Sequence, residues 1–301
     1  MSKPAESLLD PAAVAKGEAL GLAARGIVEG YRVGEHRSPF HGFAIEFAQH
    51  REYSTGDDLR HMDWKVLGRT DRYYIKQYEQ DTNLVAHLLV DGSESMNYGS
   101  AAGRTKLDYA KTLAACLALL VLRQSDAVGL NIFDTEIRDR FARTDNPGRI
   151  HEIMRRLAAF EAHAGTGIGR ALRDLSSTLR ARGIVLVVSD LFDDEEVLAR
   201  GLEQLRFQGH EVVVFHVLDP DEIDFPFTGS VRFVGLEGAD TVETNPAALR
   251  RSYLDAFEAF CKRVREVCAR CSSHYVLCNT GVPLATTLSE YLAFRQGHRT
   301  R

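Results

Sequence analysis

Three short stretches place oxygen-bearing side chains where a hard cation could collect them. In VDGSESM, Asp91 ends an apolar run and hydroxyls follow at Ser93 and Ser95. In AGTGIGRAL, Thr166 stands between Gly165 and Gly167, which let the backbone approach closely. In VVSDL, Asp190 closes a second apolar run. A magnesium-like ion takes oxygen ligands at about 2.0–2.1 Å in an octahedral array and usually keeps several waters. Two carboxylates and three hydroxyls would leave such an ion under-neutralised, with one exchangeable position suited to an acidic side chain from another molecule. The expected site is therefore Asp91, Ser93, Ser95, Thr166 and Asp190 around Mg²⁺, with Mn²⁺ or Ca²⁺ as alternatives. Met96, Asn97, Gly165 and Phe192 are expected to form a rim for the partner. Each piece also has a plainer reading: a turn after a strand for Asp91–Ser95, a helix N-cap for Thr166, and a strand-end cap for Asp190.

The elements that must position these residues are legible from about residue 82 onward. LVAHLLVD (84–91) and IVLVVSD (184–190) read as buried strands, AVGLNIF (127–133), HEVVVFHVLD (210–219) and HYVLCN (274–279) as further strands, and EIRDRFA (136–142) as a short edge strand. Helices are expected at 106–124, 151–160, 195–209, about 246–269 and around 284–294. Ile168, Ala171, Leu172, Leu175 and Leu179 share one helix face, with Gly183 as the stop signal. VRFVGLE (231–237) is also strand-like. Such alternation predicts an α/β fold, a mostly parallel sheet with helices on both faces. In such sheets ligands bind at the carboxyl ends of the strands, where Asp91 and Asp190 fall.

Residues 1–81 are expected to form an extension packed on the body at 82–301. Asp10 and Pro11 suit a helix start, Phe43, Ile45 and Phe47 alternate, and RYYIKQY is strand-like. The chain has 301 residues, a formal charge of −5 and no apolar run near the roughly 20 residues that span a bilayer. Nucleic acid and a membrane span are therefore not expected. The N-terminus lacks the order of a signal peptide. Five cysteines then read as free thiols and the protein as cytoplasmic.

Other groups have competing readings. Asp193 to Glu196 either complement the start of the following helix or tune the metal rim. Asp134 is a candidate neighbour of the site. Cys268, Cys271 and His274 suggest zinc, but a single CxxC pair across a helix end reads better as packed thiols. His87 reads as a core residue and Trp64 as a core anchor. A haloacid-dehalogenase-like phosphatase or phosphotransferase using Asp91 is the alternative function. That chemistry wants an acid two positions later, where Ser93 stands, so no enzymatic activity is expected. A scaffold whose site stays empty is a third reading.

The D-x-S-x-S run, the later Thr and the later Asp resemble the metal-ion-dependent adhesion site of von Willebrand A domains, and SDAVGLNIF (125–133) resembles that fold's second strand. The resemblance implies that Asp91, Ser93, Ser95 and Thr166 bind the ion directly or through water, and that Asp190 acts through water. Glu46-Phe47, Arg51, Tyr53, Gly56-Asp57-Asp58, Arg60, Asp63-Trp64 and Arg69 resemble the upstream signature of a bacterial family, domain-of-unknown-function family 58. KVLGRT (65–70) departs from its usual Ala/Ser-rich stretch. This resemblance implies an adaptor or chaperone-like role beside a MoxR-type AAA+ ATPase or its client. The Arg51/Asp57/Asp58/Arg60/Asp63 cluster would then serve either to pin the N-terminal segment or to dock the ATPase.

Overall fold

The computed structural model describes residues 46–52, 62, 64, 66, 68, 72–79, 84–100, 104–163, 165–236 and 241–297. The expected early helix and the charged residues Asp57, Asp58, Arg60, Asp63 and Arg69 lie outside them. Two compact units separate, one covering Phe40–Leu84 and the other containing Val85–Arg301. In the smaller unit, β1 (Glu46–Glu52) pairs antiparallel with β2 (Tyr74–Glu79), with a register shift between Phe47 and Gln49. Met62 is buried there, but Trp64 is 65% exposed, so it is not the core anchor its size suggested.

The larger unit is built on a six-stranded sheet ordered β10-β7-β6-β3-β4-β5. Its strands are β3 (Val85–Asp91), β4 (Ala127–Phe133), β5 (Ile137–Thr144), β6 (Ile184–Ser189), β7 (Glu211–Leu218) and β10 (His274–Asn279). All pairs are parallel except β4–β5, which places β5 antiparallel at one edge. The central strands β3 and β6 are rich in Val, Leu and Ile and almost wholly buried, as strands covered on both faces must be. The chain leaves β3 toward β4, then returns to β6 on the other side. That reversal opens the crevice at the carboxyl ends of β3 and β6.

Helix α1 (Lys106–Arg123) is buried along nearly its whole length and lies against β3, β4, β6 and β7. Its start is written locally: the Thr105 hydroxyl accepts from the Asp108 backbone N–H, and the Asp108 carboxylate accepts from the Thr105 N–H. The shorter α2 (Ile150–Ala159) packs beside α1. Helices α3 (Ile168–Thr178), α4 (Glu195–Phe207) and, after a single turn α5 (Pro220–Asp224), the long α6 (Pro246–Arg270) cover one sheet face. Their Leu172, Leu202 and Val264 share one apolar cluster with Leu89, Val187 and Val214 of the strands. The chain closes with α7 (Leu284–Gly297), whose Tyr291 meets Phe215 edge-on at 5.0 Å between ring centroids.

Three details depart from expectation. Helix α3 ends at Thr178, before Gly183, because the Ser176, Ser177 and Thr178 hydroxyls donate back to carbonyls three residues earlier and the chain then turns extended. Gly183 serves closeness instead, since a Cβ there would stand 2.3 Å from the Val85 carbonyl oxygen. The strand-like segment from Val231 pairs with Thr241–Thr244 as a separate hairpin, β8 (Val231–Val234) and β9, outside the main sheet. Among the described residues no helix is long and apolar enough to cross a membrane.

Candidate metal centre

Asp91 is the last residue of β3 and is fully buried. Its Oδ1 accepts from the Ser93 backbone N–H at 2.9 Å, and its Oδ2 accepts from the Ser189 hydroxyl at 2.5 Å. Both donors are neutral. Burial, then the charge of nearby Asp190, pushes the Asp91 carboxyl well above its ordinary value, against the pull of these hydrogen bonds. A buried carboxylate in that position is short of positive charge. The chain past Asp91 makes a single 3-10 turn (Glu94–Asn97) that brings the Ser93 and Ser95 hydroxyl oxygens to 3.0 Å. Adjacent ligands of an octahedral ion with bonds of about 2.1 Å stand about 3 Å apart, so this pair already has the spacing of one octahedral edge.

Asp190 follows β6 and is equally buried. Its Oδ2 accepts from the Lys106 ammonium at 2.8 Å, and its backbone oxygen lies 2.9 Å from His216 Nε2. His216, whose Nδ1 meets the Tyr275 hydroxyl, is held down to about 4 by burial, despite the nearby Asp190 charge and backbone contact. The Leu191 backbone takes φ +60°, a left-handed conformation rare for a branched side chain, just before Phe192.

Thr166 sits half-buried in the loop before α3. That loop is fixed at both ends to the strand tips beside Asp91. The His163 N–H donates to the Gly92 carbonyl at 3.0 Å, and the Gly167 N–H donates to the Asp134 carbonyl at 2.9 Å. Both glycines allow a close approach: a Cβ on Gly92 would fall 2.1 Å from the Phe160 ring, and one on Gly167 would fall 2.8 Å from the Thr135 carbonyl oxygen. Hydrogen bonds thus gather Asp91, Ser93 and Ser95, the Asp190 charge acts on Asp91, and Thr166 is carried by a loop anchored to the same edge.

Of the expected rim, Asn97 is exposed, Phe192 is 39% exposed and Gly165 is half-buried. Met96 is not on the rim. It is fully buried, because the 3-10 turn points it into the core. Asp134 is committed elsewhere: both carboxylate oxygens accept from Arg138 Nε, at 2.9 and 2.8 Å, and these bonds hold it below its ordinary value against the cost of burial. Asp194 caps α4 by accepting from the Glu196 and Val197 N–H groups. The five cysteines are buried free thiols, and burial pushes Cys268 up to about 12.

Lys106 is the residue of this crevice that sequence reasoning missed. It is 1% exposed, and its ammonium also reaches Glu222 of α5 at 2.6 Å and lies 5.2 Å from the centroid of the Phe192 ring. The Thr105–Asp108 capping pattern could have placed it at the start of α1, beside the strand tips. Nothing local points to its partners, which lie 84 and 116 residues away.

The donor chemistry fits a small hard cation. Among the described residues no three His, Cys, Asp or Glu side chains gather as a metal site, and the acidic share here is two carboxylates, with hydroxyls as the other donors. This oxygen set suits magnesium better than zinc, which favours Cys and His ligands.

The fold is an α/β module whose mostly parallel sheet is covered by helices and opens a crevice at the carboxyl ends of β3 and β6. The family model described as protein of unknown function DUF58 matches residues 49–262, and the chain belongs to that family. Uncharacterized proteins of Mycobacterium bovis and Mycobacterium tuberculosis are 29% identical over 225 residues, covering 74% of this chain and 70% of theirs. Among solved structures, BatB from Bacteroides thetaiotaomicron aligns at 15% identity and TM-score 0.48, covering 71% of this chain and 99% of that one. The VWA domain of SpRpn10 aligns at 14% identity and TM-score 0.39, covering 69% and 94%.

Proposed function

We propose that the protein is a metal-dependent protein-binding module and that its partner donates a carboxylate to the ion. The observation that carries this reading is the fully buried Asp91 carboxylate, whose described hydrogen-bond donors are neutral and which stands beside a second carboxylate. Asp91, Ser93, Ser95 and Thr166 would hold the ion, with Asp190 acting through water. The bound ion supplies one coordination position of positive charge at the surface. The chain's own residues orient that position and exclude water from beneath it, with Ser189 and His216 bracing the two carboxylate-bearing loops.

The resemblance to von Willebrand A domains and to family 58 proteins supports an adaptor or chaperone-like role beside a MoxR-type AAA+ ATPase. A nucleophilic role for Asp91 is disfavoured, because that chemistry wants an acid two positions later, where Ser93 stands. Calorimetric titration with magnesium tests the metal half: wild type gives saturable heat and Asp91→Ala gives none. Equal heats from the two proteins refute it. Binding to the purified ATPase encoded by the same genome tests the partner half. Binding with magnesium that EDTA and Asp91→Ala both abolish is expected. Binding indifferent to both refutes metal dependence, and no binding refutes this partner.

A further inference from the structure

A cleft of about 650 Å³ opens beside the proposed metal centre, and Ser95 lines both. Its far wall is aromatic. Phe225 stacks on Tyr253 with ring centroids 4.3 Å apart, and Phe227 and Phe233 meet edge-on at 5.2 Å. Phe225 holds a left-handed backbone at φ +45°, matching the strained residue just before Phe192 on the near wall. Such strain persists only where surrounding structure enforces it. The rim is also apolar: Phe192, Leu236 and Leu249 are 39%, 44% and 42% exposed.

The charged groups that line the cleft are already engaged. Lys106 is bound to Asp190 and Glu222, and Asp221 accepts from the Tyr98 hydroxyl at 2.9 Å. An occupant therefore meets aromatic and aliphatic surface, and the positive charge offered to it stands at the cleft's Ser95 end, at the ion. This distribution complements a ligand with an apolar body and a carboxylate beside it. The volume falls within the roughly 300–1,000 Å³ of ordinary ligand pockets. Residues within two positions of each other in an extended segment lie within about 7 Å, and Ser95 belongs both to the proposed ligand set and to the cleft lining.

We infer that the partner segment carries a bulky apolar side chain, aromatic or long aliphatic, within two residues of the carboxylate that ligates the ion, and that this cleft seats it. The carboxylate half rests on the metal reading above; the apolar half rests on the cleft. Together they assign the recognised chemistry as an acidic residue adjoining a large hydrophobe in an exposed loop or tail.

The test is selection of a random phage-displayed peptide library on the 301-residue chain in millimolar magnesium, for wild type and Leu249→Glu. Leu249 is exposed in the first turn of α6, where an acidic side chain suits the helix start, so the variant folds. Wild type should enrich Asp or Glu beside Phe, Tyr, Trp, Leu or Met. Leu249→Glu should keep its magnesium heat and the acidic enrichment but lose the hydrophobe. A selected peptide should bind the variant at least tenfold more weakly. Replacing the peptide's hydrophobe by Ala should weaken binding to wild type equally and add nothing on the variant. Acidic enrichment without a hydrophobe overturns the inference and leaves the metal reading standing. Apolar enrichment with no carboxylate and no magnesium heat overturns the pairing and refutes the metal reading separately. Sedimentation showing a dimer that Leu249→Glu dissolves also overturns it, by giving the cleft to a second copy of this chain.

Discussion

Replacing Lys106 by Met should expose how much of the crevice depends on one buried cation. The side chain is 1% exposed, and its ammonium lies 2.8 Å from Asp190 and 2.6 Å from Glu222. Methionine fills similar volume but leaves the buried Asp190 and the part-buried Glu222 without their shared counter-charge. Removing one partner from a buried ion pair costs about 3–5 kcal/mol, because the remaining charge stays desolvated. For a domain of this size that corresponds to a fall in Tm of roughly 6–20 °C. The two carboxylates raise the Lys106 ammonium above its ordinary value, although burial alone would lower it. Its contribution is therefore fully present at neutral pH and is lost only as pH climbs through that raised value. Thermal and urea unfolding in EDTA near neutral pH measure the cost, and adding Glu222→Gln to Lys106→Met should recover part of it. The variant also carries one more uncompensated negative charge beside Asp91, so magnesium should raise its Tm more than it raises that of wild type. A Lys106→Met protein within about 1 kcal/mol of wild type in EDTA would refute the reasoning.

Further outcomes follow from the same geometry. Asp91→Asn keeps the shape and removes a carboxyl whose value is raised in the fold; relative to this variant, wild type in EDTA should lose stability as pH rises from about 4 through that raised value. Unfolding curves across pH check it, and Asp91→Asn should take up no magnesium. His87 is held down from 6.5 to about 4, first by burial and then by His210 and Arg143. Relative to His87→Gln, wild type should therefore lose at most about 1.4 kcal/mol per pH unit as pH falls across that window. Gly167→Ala brings a Cβ to 2.8 Å from the Thr135 carbonyl oxygen, so it should cost about 1–3 kcal/mol and weaken magnesium binding by titration calorimetry.

Much of this architecture was legible because the information is local. The buried strands announce themselves as short runs rich in Val, Leu and Ile, and AVGLNIF is the observed β4 residue for residue. Asp91, Ser93 and Ser95 fall within five consecutive positions, so one turn necessarily brings them together. What stayed hidden depends on distance. Lys106 reads as an ordinary charged residue at a helix start, and only the fold brings Asp190 and Glu222 to it. Met96 looked available for a partner until its turn showed the side chain directed inward. The β8–β9 hairpin and the left-handed Phe225, which together shape the cleft, arise from pairing and packing between segments that carry no shared pattern.

The most direct test of the central claim is the anomalous scattering of manganese in crystals of the 301-residue chain. The account predicts one strong peak ligated by Asp91, Ser93, Ser95 and Thr166, with Asp190 reaching it through water, and no such peak in Asp91→Ala crystals. Manganese bound elsewhere, or a crevice without a peak at saturating manganese, would contradict it.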